Sequence, residues 1–148
     1  KLSRNIYFYK DIKLEDKPEN RIIIIFGHLS IILNCLKNNK NYINFSQEIY
    51  DNIFLNIENS LRELGHGDVT VNKKMKKLNQ IFHDLLLKFK DKENEKKINI
   101  SEITKFLFLK EKNDEISLKL NDYFEKYNDF CFDIVNRNMI KDLEKFKY

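Results

Sequence analysis

Glycine and proline are nearly absent from this chain, three of one and one of the other in 148 residues, and tryptophan is missing altogether. With apolar residues at 42% and charged residues at 34%, the composition excludes a fibrous repeat and a disordered chain and fits a helix-rich one. The two cysteines, Cys35 and Cys131, lie far apart, lack a CxxC partner and sit among apolar neighbours. Such usage supplies neither a disulfide framework nor a metal site; both read as small buried hydrophobes in a reducing compartment. The longest apolar segment, Ile22 to Leu36, is interrupted by His28, Ser30 and Asn34 and falls short of the roughly 20 residues of a membrane span, so it reads as a core helix. No signal-peptide pattern and no internal repeat stands in the sequence.

What is present is charge with a definite location. The formal net charge is +4, and residues 65–97 hold nine lysines against five acidic residues, so the whole excess falls in this one region. A local basic patch points to an acidic partner surface such as RNA, anionic lipid or an acidic protein. A solvated face on a lysine-rich helix accounts for the same composition equally well.

No segment alternates with period two over a useful length, whereas 3.6-residue periodicity recurs throughout. The expectation is an all-α fold, a single compact bundle of about six helices forming one domain over residues 1–148; a chain of this length buries roughly 70% of its unfolded surface. A first short helix is expected over Leu2–Lys10, broken before Pro18, which disfavours the helical region at Lys17. A second, apolar on nearly every side, covers Arg21–Lys37. Asn44 and Gln47 have the form of a capping box for a third helix running to Leu64, with Ile49, Ile53, Phe54, Ile57, Leu61 and Leu64 as its apolar stripe. Gly65 stands where a left-handed cap closes that helix, and Gly67 permits a tight turn. A fourth helix starts near Thr70 as N-cap, with Asp68 ahead of it at the positive end of the dipole. Met75, Leu78, Phe82, Leu85 and Phe89 form its apolar stripe, bordered by Lys73, Lys74, Lys76 and Lys77. Residues 90–97 read as a charged linker, and Asn99 with Glu102 as a capping box for a short helix to Leu109. A last long helix from Asp114 carries Ile116, Leu118, Leu120, Phe124, Tyr127, Phe130 and Ile134, and the tail from Met139 to Phe146 continues it or adds a turn.

Catalysis has little support. His28, His66 and His83 are not at ligand spacing on one helix face, and no HExxH, nucleophile motif or glycine-rich phosphate loop occurs. His28 is expected to be a packing histidine, and Asp68 a helix-start carboxylate instead of a general base beside His66. No cofactor, metal or small-molecule substrate is expected. A helix, a glycine turn and a basic helix together resemble a helix-turn-helix, but the basic helix offers lysine, which suits phosphates, in place of the Arg, Asn and Gln that read bases. The GHGDVT connection is also longer than the usual tight turn. A helical RNA- or ribosome-binding module remains the alternative reading.

The stretch Leu61-Arg62-Glu63-Leu64-Gly65-His66-Gly67-Asp68-Val69-Thr70-Val71, followed by Lys73-Lys74-Met75-Lys76-Lys77-Leu78, resembles the signature of the ubiquinol–cytochrome c chaperone family, the cytochrome b assembly factors. Phe8-Tyr9 through Asp16, then Asn20-Arg21 and the helix containing His28-Leu29, are similar to that family's opening segment. After Phe82 the chain reads His83-Asp84-Leu85 where the family commonly has an aromatic residue, a glycine and an arginine. The resemblance implies a helical, non-catalytic chaperone that binds newly made cytochrome b during assembly of the quinol–cytochrome c reductase. It carries Arg62, Glu63, Gly65, Gly67, Asp68 and Val71 over as motif residues. It also implies a second small assembly factor, ribosomal contact, and a place beside the energy-transducing membrane, in a bacterial cytoplasm or a mitochondrial matrix. No histidine stands out as a haem ligand. On this reading Lys73, Lys74, Lys76 and Lys77 are an electrostatic contact for a ribosome, an anionic membrane surface or an acidic partner.

Overall fold

The computed structural model describes residues 2–37, 43–88, 101–107, 114–135 and 145–148. Among these residues, a 3-10 turn at Leu2–Arg4 is followed by six helices: α1 (Ile6–Lys10), α2 (Pro18–Leu36), α3 (Ile43–Glu63), α4 (Asp68–Lys88), α5 (Ser101–Leu107) and α6 (Asp114–Val135). The fold is all-α, with no strand among the described residues. The expected first helix is divided at Asn5, whose side chain accepts from the Tyr7 N–H at 3.1 Å and so caps a new helix. Lys17 is extended, as the residue before a proline should be, but Pro18 starts α2 three residues earlier than the apolar pattern indicated, because proline suits the first helical turn.

The hub of the bundle is α2, which packs against the N-terminal 3-10 turn and against α3, α4, α5 and α6. It is long and apolar enough to cross a membrane, yet within the fold most of its apolar side chains are buried against these neighbours. On α3, Phe54, Ile57 and Leu61 reach the core while Ile49 and Ile53 are half-buried. Leu64, expected on this stripe, is exposed, since the chain leaves the helix at Glu63. On α4, Val71, Phe82 and Leu85 are buried and Met75 and Leu78 lie against them; Phe89 is outside the described residues. The buried line of α6 is Leu120, Tyr123, Phe124, Tyr127, Cys131 and Ile134, at helical spacing, which leaves Leu118 on the outer side, contrary to expectation. The Asn44–Gln47 box does not form: Asn44 is already inside α3, and the Gln47 amide donates forward to Asp51 at 2.8 Å. The 90–97 linker, Asn99 and the start of the expected tail lie outside the described residues.

Two features fix α2 on α6. At Gly27 the helices approach so closely that a Cβ would stand 2.8 Å from Ile103 Cδ1 and 2.9 Å from Phe124 Cζ. At the next residue, His28 is buried with both ring nitrogens engaged, Nδ1 2.7 Å from the Ile24 carbonyl and Nε2 2.9 Å from the Tyr123 hydroxyl. A carbonyl only accepts, so Nδ1 carries the hydrogen and Nε2 accepts from the tyrosine. Phe8, Tyr123, Phe124 and Tyr127 surround the imidazole, mostly edge-on. At the far end of the chain Phe146 packs on Tyr123, Tyr127 and Phe130.

Candidate functional site

The corner between α3 and α4 assembles most of the motif. The Gly65 N–H bonds the Arg62 carbonyl at 2.9 Å and the His66 N–H bonds the Leu61 carbonyl at 3.3 Å, with Gly65 at φ +83°: a Schellman cap whose left-handed residue is the glycine. Gly67 lies in the same turn but keeps an ordinary φ, so the left-handed conformation is used at Gly65 and not there. The Val71 N–H closes onto the Gly67 carbonyl at 3.0 Å, and α4 therefore starts at Asp68, two residues ahead of the Thr70 cap read from the sequence. Thr70 lies inside the helix.

Charged side chains clamp this corner from outside. Arg62 donates to Glu58 one turn back, at 2.8 Å, and across the corner to the Asp68 carboxylate, joining the end of α3 to the first residue of α4. Both acidic partners push the guanidinium further above its ordinary range, Asp68 first. Asp68 also sits at the positive end of the α4 dipole, where a carboxylate is favoured. On the other side Lys74 Nζ donates to His66 Nε2 at 2.9 Å, so that ring nitrogen is unprotonated. Between Asp68 and Lys74 along the helix, Val71 is fully buried. Tyr50 and Asn79, joined by a hydrogen bond, tie the middles of α3 and α4.

The four lysines therefore divide. Lys73, Lys76 and Lys77 are exposed and make no ion pair among the described residues, whereas Lys74 is half-buried and drawn to His66. Glu63, the remaining motif residue, is exposed on the rim of a groove of about 510 Å³ between α2 and α3. Its lining is largely apolar, with Ile22, Ile25, Ile53 and Ile57, and includes Arg4. Beside it Arg21 grips Asp16 through two bonds of 2.6 Å each and holds that carboxyl below its ordinary range.

The histidines are not brought together: His28 is in the core, His66 at the corner and His83 on the surface of α4. No cluster of three or more metal-ligating side chains occurs among the described residues. Cys35 and Cys131 are both buried and free, as expected. The bundle does bring them together, which their separation in sequence concealed, and the Cys35 thiol, then burial, raises the Cys131 pKa. Sequence reasoning also passed over Gly27; a glycine inside an apolar helix was the available signal of close approach.

The family model for the ubiquinol–cytochrome C chaperone matches residues 10–126, a span that contains the α3–α4 corner, the groove residues from Pro18 onward and all four lysines. No individual curated protein and no solved structure matches the chain. With most of its length inside that match, the chain belongs to the ubiquinol–cytochrome c chaperone family.

Proposed function

We propose that this protein is a non-catalytic assembly chaperone for cytochrome b of the ubiquinol–cytochrome c reductase. The observation that carries the reading is the family match over residues 10–126. A chaperone of a membrane subunit needs apolar surface for its client and a separate means of staying where the client is made. The largely apolar groove between α2 and α3 is the surface offered to a cytochrome b segment. Lys73, Lys76 and Lys77, on the exposed side of α4, are the contact for an anionic partner, a ribosome or a membrane surface. Arg62, Gly65 and Asp68 act upstream of both by fixing the angle between α3 and α4. A second small assembly factor completes the expected set of partners, and the expected location is beside the energy-transducing membrane.

A photo-crosslinking amino acid at Asn56, in the groove lining, tests the client directly. Affinity purification should recover crosslinked, newly made cytochrome b, and loss of the protein should lower cytochrome b and the assembled reductase without any small-substrate turnover being lost. Recovery of nucleic acid with no selective loss of cytochrome b would favour the RNA-binding alternative. Charge reversal of Lys73, Lys76 and Lys77 to Glu should leave the helical signal intact, since isolated exposed charges contribute little to stability, and should release the protein from its anionic partner.

A further inference from the structure

The side of α4 turned away from the core is more specific than a patch of positive charge. Val69 and Leu87, at opposite ends of the helix, are 84% and 75% exposed, the two most exposed large apolar residues among those described. They are 18 residues apart, five full turns, so they lie on one line parallel to the axis and about 27 Å apart. Lys73, Lys76, Gln80 and His83 fall within about 40° of that line, at 100° per residue, and all four are exposed. Lys77 borders it, while Asp84 is half-buried at its edge and Asp68 is turned aside to Arg62. The buried residues Val71, Phe82 and Leu85 are on the far side.

A face with Lys73 and Lys76 on its line, Lys77 at its border and an apolar side chain at each end fits a flat surface that is anionic at its face and apolar just beneath. We infer that the outer face of α4 docks on an anionic lipid leaflet, with Lys73, Lys76 and Lys77 at the headgroups and Val69 and Leu87 entering the interface. The inference rests on the reading of the lysines as a contact site and names its partner. Lipid accounts for the exposed apolar ends, which a phosphate backbone leaves in water. Nucleic acid would call for arginine or several aromatic side chains stacking on bases, and this line has no arginine and a single ring, that of His83.

The experiment measures binding of the whole protein to phosphatidylcholine vesicles, to phosphatidylcholine vesicles containing phosphatidylglycerol, and to purified ribosomes, each across a salt series. The expected result is salt-sensitive binding to the phosphatidylglycerol vesicles, little to phosphatidylcholine alone, and roughly a hundredfold loss on changing Lys73, Lys76 and Lys77 to Gln. The double variant Val69→Ser/Leu87→Ser changes exposed residues and should keep its fold by circular dichroism. It should bind the anionic vesicles roughly tenfold more weakly and ribosomes unchanged. Equal vesicle binding by this variant and wild type overturns the inference. Binding to ribosomes but not vesicles overturns it as well and leaves the lysine contact standing; binding to neither removes both.

Discussion

His28 supplies a test of the core that can be worked from its surroundings. Burial lowers its pKa from 6.5 to about 4, against a smaller opposing effect of the hydrogen bond to the Ile24 carbonyl. The folded protein therefore holds the imidazole neutral while the unfolded chain takes up a proton below pH 6.5. The sign follows: the unfolded state binds more protons between these values, so the stability that depends on neutral His28 is complete above pH 6.5 and is lost as the pH falls toward 4. With about 1.4 kcal/mol per unit, the loss is about 2 kcal/mol at pH 5 and about 3 kcal/mol at pH 4. Carboxylates also titrate in this range, and the comparison that isolates His28 is with His28→Phe, which keeps a ring among Phe8, Phe124 and Tyr127 but has no proton to gain. That variant should be less stable at pH 7.5, because the Tyr123 hydroxyl loses its acceptor. Its urea midpoint, followed by helical circular dichroism, should nevertheless fall less steeply on acidification, and the two stabilities should converge near pH 5. Curves that stay parallel from pH 7.5 to 4.5 would refute a buried, neutral His28.

Gly27→Ala gains about 1 kcal/mol of helix propensity but puts a Cβ 2.8 Å from Ile103 and 2.9 Å from Phe124, so it should come out net destabilised in thermal unfolding, and Gly27→Val more so, by about 2 kcal/mol or more. A Gly27→Ala protein more stable than wild type would mean that Ile103 and Phe124 move aside freely. Gly65→Val should cost more than about 1 kcal/mol through its backbone alone, since nothing lies within 4 Å of the added Cβ, whereas Gly67→Ala should be within about 0.5 kcal/mol of wild type. Equal melting temperatures for the two variants would contradict the Schellman cap. Ser30 buries a hydroxyl oxygen that has no partner among the described residues, and Ser30→Ala should be neutral or stabilising by up to about 1 kcal/mol in urea unfolding; a clear loss would reveal a hydrogen bond.

The sequence carried α3, α4 and α6 well because each presents one dominant apolar line, and such lines depend only on spacing along the chain; α2 was legible as an apolar run. Its errors fall where the decisive partner is remote or where the end of a helix is set by a neighbouring cap. Thr70 is a sound N-cap residue, but the cap at Gly65 leaves only His66 and Gly67 before α4 and moves the start to Asp68. Leu64 and Leu118 look like stripe members by composition; Leu64 lies outward because α3 ends at Glu63, and Leu118 because the buried line of α6 runs elsewhere. Gly27 owes its role to Ile103 and Phe124, and Cys35 meets Cys131 only through the packing of α2 on α6; spacing carries no sign of either. The groove belongs to the same class, since Arg4, Ile22, Ile53 and Glu63 come from three elements.

The corner shows how a short motif can hold both geometry and charge without mixing them. Arg62, Gly65 and Asp68 are spent on the turn itself, one as a bridge, one as the left-handed residue and one as the bridge's acceptor at the head of α4. Lys74 joins this frame through His66, which removes one ammonium from the outer face but adds a second tie across the corner on the side opposite Arg62. A helix held at its first residue by Asp68 and in its second turn by Lys74 has little freedom to swing, and Val71 buried between those points anchors it from beneath. The three lysines left outside are then presented at a fixed angle to the groove between α2 and α3. On the proposed function, which puts a client segment in the groove and an anionic surface against the lysines, the relation between those two faces is set by the α3–α4 corner, and the run of lysines follows the Gly65 cap for that reason.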